Sequence, residues 1–461
     1  MAKKKNTFMN FVDNLEGDKV VWIIVLMLIL ISIVCIFSST SKLLDPGETR
    51  LDIVRSQLVV VGMGLAVIIV CYNIKNIKLF RALSMLGFAF SITLLLMLDT
   101  GGFGPIKAQT INGATRTLSI FGKQLHVFEV VKIAMVMYLA WAVELCNGKN
   151  NSTLERIAVN HNLDHVKRHM KLYKKLTYLY IPFVLVTIAI MPGSNSSAIF
   201  FAGIMFLTIV IGGGNLKDAG ILMVLGMLAL GGCYGLYKIS NGAVMQRIGT
   251  LISRTSNSID YEKVVLESKK GTIEYQKALD KIRQPYSAKI AIHQGGLIGK
   301  GPGQSTQRYA VPDISEDFMF SFIIEEYGLL GGIFVIILYV SLLARGSIIV
   351  RNCGKDMFAK AAVAGLTILI SGQGFMHMFV NGDFGILTGQ TLPLISHGNS
   401  AFLCFSLAFG LILSISRIAV KRIEKEQNDA DPLIQLQIEG GEPEQIQDTL
   451  TDLDNFESDG L

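Results

Sequence analysis

Several ionisable residues stand inside or at the mouths of long apolar runs, where charge is costly. Glu129 and Lys132 lie three apart at the start of the run 127–145. That spacing puts both side chains on one helical face, within reach of an ion pair. A charged side chain at the centre of a bilayer costs at least ~2.5–3.5 kcal/mol, so a retained pair calls for a reason. Two readings fit: an interfacial pair that snorkels to the surface, or a cavity pair that binds or positions a polar substrate. Asp317 opens a second run, in VPDISEDFMFSFIIEEYG, with Asp313 and Glu316 before it and Glu325 and Glu326 after it. Carboxylates at a span mouth can supply a general base where burial or a neighbour tunes the pKa. The alternative is a set of solvated acids that complement the helix dipole.

The stretch HQGGLIGKGPGQS, residues 293–305, has the look of a phosphate cradle. It is not a P-loop: Gln294 stands where the first glycine is needed, and Lys300 is followed by Gly301 rather than Ser or Thr. Exposed amides of a glycine turn can still hold pyrophosphate, with Gly295, Gly296 and Lys300 as contacts. A plain flexible loop is the other reading. His161, His165 and His169 recur every four residues, a spacing that can bind metal, but they sit among Lys and Arg and read as surface residues; no metal ligands are assigned. No two of the six cysteines form a C-x-x-C, so they read as small core residues.

The elements that must position these groups follow from composition. Of 461 residues, 51% are hydrophobic and 17% charged; soluble domains run nearer ~25% charged. The 45 Gly and 18 Met suit a membrane interior, where small residues let helices approach. A soluble single domain, a disulfide scaffold and a disordered chain are excluded. The net charge of +6 is spread over loops, which does not describe a nucleic-acid binder. Apolar runs fall at 20–38, 58–74, 79–98, 127–145, 177–191, 198–212, 219–239, 318–344, 358–378 and 402–418. These predict an all-α polytopic membrane protein of about ten transmembrane helices, each long enough for a ~30 Å core or nearly so. The pair flanking Pro192 is short, as spans that line a polar cavity often are. The first run is too long for the core of a cleavable signal peptide.

With the N-terminus inside, the inner segments collect most of the bases, and the short outer loops hold only Lys42, Arg50, Arg55, Lys107, Arg116 and Lys123. That bias predicts cytoplasmic N- and C-termini. The expected organisation is an N-terminal segment 1–19, a membrane domain 20–422 and an acidic disordered tail 423–461. Within the membrane domain, 147–176 is a basic inner loop and 240–317 a large outer loop.

Four segments together resemble one family. They are INGATRTLSIFG (111–122) followed by Glu129 and Lys132; AKIAIHQGGLIGKGPGQSTQR (288–308); VPDISEDF with EEYGLLGG (311–318 and 325–332); and NGDFGILTGQTLPLISHGNSAF (381–402). In order and spacing the chain is similar to the SEDS membrane proteins (shape, elongation, division and sporulation), closest to the division branch found in Bacteroidota. It departs from the family pattern at His126-Val127-Phe128, at 191–195, where an acid is missing, and at Asp313, Ser315 and Glu316.

The resemblance implies a ten-helix SEDS fold and a peptidoglycan glycosyltransferase. It would polymerise lipid II onto the growing glycan strand during septal wall synthesis, in the inner membrane. Asp317 is then the base that deprotonates the acceptor hydroxyl. Glu129 and Lys132 hold the cavity, Arg116 meets pyrophosphate or an acid, and Gly295, Gly296, Lys300 and Ser396 are further substrate contacts. A divalent cation (Mg2+ or Mn2+) would suit the leaving group, although the sequence offers no dedicated site. The implied partners are a class B penicillin-binding protein and other divisome proteins. A lipid II flippase and a non-catalytic scaffold are the competing readings.

Overall fold

The computed structural model describes residues 16–39, 49–111, 114–120, 122–148, 152–161, 164–214, 216–240, 263–311, 314–384 and 388–430. Helices α1 (Lys19–Ser39), α2 (Arg50–Asn73) and α3 (Ile77–Asp99) come first. A four-stranded antiparallel meander follows, formed by β1 (Gly102–Phe103), β2 (Ile106–Ile111), β3 (Ala114–Ile120) and β4 (Lys123–His126). Then come α4 (Val127–Asn147), the short helices α5 (Thr153–Asn160), α6 (Asp164–Arg168) and α7 (Met170–Lys175), and a π-helical turn (Leu176–Tyr180). Helices α8 (Ile181–Ile190), α9 (Asn195–Ile211), α10 (Leu216–Ile239) and α11 (Ile273–Gly295) precede a 3-10 turn (Gln307–Tyr309). Helices α12 (Met319–Asn352), α13 (Met357–Asn381) and α14 (Asn399–Ala430) close the bundle.

Among the described residues, eight helices are long and apolar enough to cross a membrane. Segment Asn195–Ile211 is apolar but shorter, and α4 carries Glu129, Lys132 and Glu144 within its apolar run. The ten expected runs all fall on helices. The first of the pair around Pro192 is longer than expected: α7, the π turn and α8 form one span, Met170–Ile190, that takes in the basic residues Lys171, Lys174 and Lys175. Lys175 enters because Asp218 neutralises it at 2.5 Å, and Lys174 because Glu155 does so at 2.8 Å. The tail also begins later than expected, since α14 continues past 422 to Ala430. The expectation of disorder for the rest of the tail concerns residues 431–461, outside the described residues.

The centre of the bundle is α4, packed against α3, α9, α13 and α14. Its Val131, Met135, Val136, Leu139 and Ala140 are wholly buried. The small residues of α13 allow close approach: Gly365 faces the side chains of Thr208 and Val136. One end of the bundle is tied by ion pairs. Arg81 bridges Glu144 at 2.8 Å and Asp356 at 2.9 Å, and Arg345 reaches Asp18 at 2.7 Å. Hydrogen bonds from Lys421 and Arg417 hold the Glu16 carboxyl below its usual range.

The opposite end carries the sheet and α11. The sheet was not foreseen. Its signals are the alternation of IKAQTI and ATRTLSI and the dipeptide Asn112-Gly113 between them. Thr117 and Leu118, on opposite faces of β3, are both buried, and β4 runs directly into α4.

α12 is broken at Gly328, whose backbone (φ 72°, ψ −176°) is not helical. A broken helix inside a membrane must find other partners for its backbone groups. The turn after α11 supplies them: Leu329 N–H donates to Gly296 O at 2.9 Å and Leu330 N–H to Leu297 O at 3.2 Å. In return, Lys300 N–H donates to Glu325 O and Gly301 N–H to Glu326 O, both at 2.9 Å. A Cβ on Gly328 would lie 2.3 Å from Leu297 O. The substitution Gly328→Ala therefore meets both a left-handed φ, worth about 1–3 kcal/mol, and a backbone clash. We expect it to lower the thermal midpoint of the detergent-solubilised protein by several degrees. An unchanged midpoint would show that the break does not depend on glycine.

Candidate functional site

At the sheet end of the bundle a cavity of about 310 Å³ is lined by Arg116, Gln124, His126, Glu129, Ser197, Glu316, Asp317, His377, Thr388 and Gln390, among others. Its walls come from β3 and β4, the start of α4 and α9, the turn before α12, the end of α13 and the segment 388–391.

Lys132 lies beneath the cavity and is 1% exposed. Its ammonium group donates to Glu129 Oε1 at 2.7 Å, Gln373 Oε1 at 2.6 Å and Gln390 Oε1 at 3.0 Å. Three donors thus meet three acceptors, the only way such a group sits inside without a large desolvation cost. The amide ends are fixed in turn: Gln390 Nε2 donates to Ser197 Oγ at 2.5 Å and Gln373 Nε2 to Thr391 O at 3.1 Å. The interfacial, snorkelling reading of this pair is therefore overturned, because the side chain points into the bundle and finds its partners there.

Above this network Arg116 and Asp317 converge. Gly389 has φ +59°, and a Cβ added there would lie 3.2 Å from Arg116 Nη1 and 3.5 Å from Asp317 Oδ2. A side chain at this position would occupy the space between guanidinium and carboxylate. Arg116 is steadied through its Nε, which donates to Gly193 O at 3.3 Å. Asp317 heads the turn into α12, with its carboxylate on the cavity wall.

Ser396 lies behind this turn. Its Oγ donates to Glu316 O at 2.7 Å and accepts from Leu392 N–H at 2.9 Å, so it clasps backbone. Gly295, Gly296 and Lys300 are placed elsewhere. Lys300 Nζ is taken up by Glu325 at 2.6 Å, Gln294 at 2.5 Å and Thr306 at 2.8 Å; Gly295 packs against the backbone of Ile324 and Glu325, and Gly296, at φ +54°, accepts the N–H of Leu329. None of the three lines the cavity. The glycines answer a backbone-to-backbone approach, and the lysine answers a buried acid. Asp313 lies outside the described residues.

The residues that the sequence reading missed are Gln373, His377 and Asn381. They recur every four residues in an otherwise apolar span, one stripe of a helix, of which His377 lines the cavity. That periodicity was available in the sequence. Among the described residues, no group of three or more His, Cys, Asp or Glu could hold a metal ion. Of the acids on the cavity wall, Glu129 is committed to Lys132, while Glu316 and Asp317 stand on the turn before α12.

The family model described as "Cell cycle protein", for the FtsW, RodA and SpoVE proteins, matches residues 18–421. The chain belongs to this family. The SEDS motifs and the match agree over nearly all of the membrane domain. The probable peptidoglycan glycosyltransferase FtsW of Enterococcus hirae is 25% identical over 424 residues, covering 89% of this chain and 96% of that protein. The FtsW of Caulobacter vibrioides is 37% identical over 127 residues, 28% of this chain and 32% of that one. A solved chain from a peptidoglycan synthase complex shares the fold, with a TM-score of 0.58 at 18% identity, covering 87% of this chain and 98% of that chain. The SEDS fold of a multi-pass membrane protein is thereby established.

The buried pair makes a testable statement. Removing one partner of a buried ion pair costs ~3–5 kcal/mol, because the other is left uncompensated. Lys132→Ala and Glu129→Ala should each lower the thermal midpoint strongly, and the double variant should be no worse than the poorer single. Additive losses below ~1 kcal/mol each would indicate an exposed pair instead.

Proposed function

We infer that this chain is a peptidoglycan glycosyltransferase that polymerises lipid II, a disaccharide-pentapeptide carried on undecaprenyl pyrophosphate, into glycan strands for septal wall synthesis. The observation that carries the reading is the convergence of Arg116 and Asp317 on one cavity in a member of this family, whose relatives bear that activity in their names.

The chemistry follows from the groups present. Asp317 takes the proton from the acceptor's sugar hydroxyl. The oxygen attacks the anomeric carbon of the donor sugar, the bond from that carbon to the phosphate oxygen breaks, and the polyprenyl pyrophosphate leaves. Arg116 stands where it can meet the charge that grows on the leaving phosphate. Lys132, paired with Glu129 beneath the cavity, holds the floor in place rather than adding net charge.

A second feature suits an amphiphilic donor. An apolar groove of about 900 Å³ runs between α3, the π turn with α8, and α10, and Pro192 lines it. The neighbouring Gly193 carries the carbonyl that Arg116 holds. A polyprenyl tail lying in the groove would bring its head group towards the cavity.

The charge bias of the loops supports cytoplasmic termini and an outward-facing cavity. A class B penicillin-binding protein is the expected partner at the septum. The shared fold with a chain from a complex that couples polymerization and crosslinking supports it.

Purified protein, with and without that partner, should convert labelled lipid II to polymer. Asp317→Asn should lower the rate by ~10²–10⁴-fold while expression and membrane insertion stay normal. Near-normal polymerisation by Asp317→Ala would remove the base. Movement of lipid II across the bilayer without polymer would point to a flippase, and neither outcome to a scaffold.

A further inference from the structure

The position of Asp317 is set by a helix other than its own. α12 begins at Met319, and Phe318 provides no side-chain cap. The first N–H groups of a helix have no partner within it. Two of those of α12 are taken by side chains of α13. Phe320 N–H donates to His377 Nε2 at 3.3 Å, and Ser321 N–H donates to Asn381 Oδ1 at 2.9 Å. Asn381 then turns its Nδ2 to the backbone carbonyl of Asp317 itself, at 3.1 Å, and to His377 O at 2.9 Å.

The imidazole is held in one tautomer. His377 Nδ1 lies 2.7 Å from Gln390 O, a position only a donor can fill, so the Nε2 lone pair is left for Phe320. Both side chains are 1% exposed. Together with Gln373, which holds Lys132, they form a single stripe along α13 that joins the floor of the cavity to the turn bearing Asp317.

We infer that His377 and Asn381 are positioning residues for Asp317: from α13 they fix the turn 317–321, and so fix where the carboxylate stands against Arg116 and Gly389. This rests on Asp317 being the base. A base must lie within hydrogen-bond reach of the proton it takes, and a displacement of ~1 Å can cost on the order of 10²-fold in rate.

The test is polymerisation of lipid II by the full chain with its partner, with kcat and KM measured separately and the thermal midpoint recorded. Asn381→Ala should lower kcat by about 10- to 100-fold and leave KM within about threefold, the pattern of a loss confined to the transition state. Asn381→Asp keeps the acceptor for Ser321 and removes both Nδ2 donors. It should show the same loss of kcat, and it serves if the alanine variant does not accumulate. His377→Gln retains an acceptor that can reach Phe320 N–H and should keep most of kcat; His377→Asn is too short and should lose about tenfold or more. In an Asp317→Ala background, Asn381→Ala should change the residual rate less than about twofold, because it acts through the carboxylate.

Wild-type kcat in either Asn381 variant, a change in KM alone, or equal activity of the two His377 variants would overturn the inference while leaving the base in place. Full activity of Asp317→Ala would instead overturn the base, and this inference with it.

Discussion

A lysine ammonium buried in an apolar bundle is the constraint around which the rest of the site is organised. Lys132, 1% exposed, needs acceptors for its three proton donors from the protein around it. Its three partners come from α4 itself, from α13 and from the segment 388–391. Two of the three are pinned by a further contact, Gln390 to Ser197 on α9 and Gln373 to Thr391. Satisfying one cation thus ties four parts of the chain into a rigid floor. A floor of that kind keeps its potential without reorganising when charge develops above it.

The same accounting explains the break in α12. A helix that stops at Gly328 in mid-span leaves backbone groups that lipid cannot satisfy. The turn after α11 fits into the break, and buried Glu325 and Glu326 gather the amides and hydroxyls of residues 303–307 and Ser38. The glycine-rich stretch is therefore an intramolecular plug. A cradle for pyrophosphate needs amides left open to a ligand, whereas the amides of Lys300 and Gly301 are spent on α12.

Pro192 lines the apolar groove and the next residue, Gly193, is held by Arg116 of the polar cavity, an arrangement that suits a substrate with a charged head and a long hydrocarbon tail. Neither feature alone would distinguish a transferase from a carrier. The Asp317 carboxylate and the Arg116 guanidinium, both beside Gly389, favour chemistry on the head group, with the groove holding the remainder of the molecule.

What the sequence determined by itself was whatever depends on local pattern. The apolar runs set the spans, because a stretch of about twenty apolar residues has few other solutions. The three-residue spacing of Glu129 and Lys132 set their shared face, and the motif order set the family. At 293–305 glycine spacing reports backbone freedom without saying whether a ligand or another helix uses it, and in the structure the amides of Lys300 and Gly301 bond to α12. The sheet at 102–126 was passed over because short strands between strong apolar runs leave a weak signal. Only the tertiary structure decided which polar groups meet. Lys132 and Gln373 are 241 residues apart in the chain, Arg116 and Asp317 stand on separate elements, and contacts of that kind are fixed by helix packing, about which local periodicity carries no information. Asn381 makes the division plain: its four-residue spacing from His377 is written in the sequence, but its grip on the Asp317 carbonyl exists only because α13 packs against the start of α12.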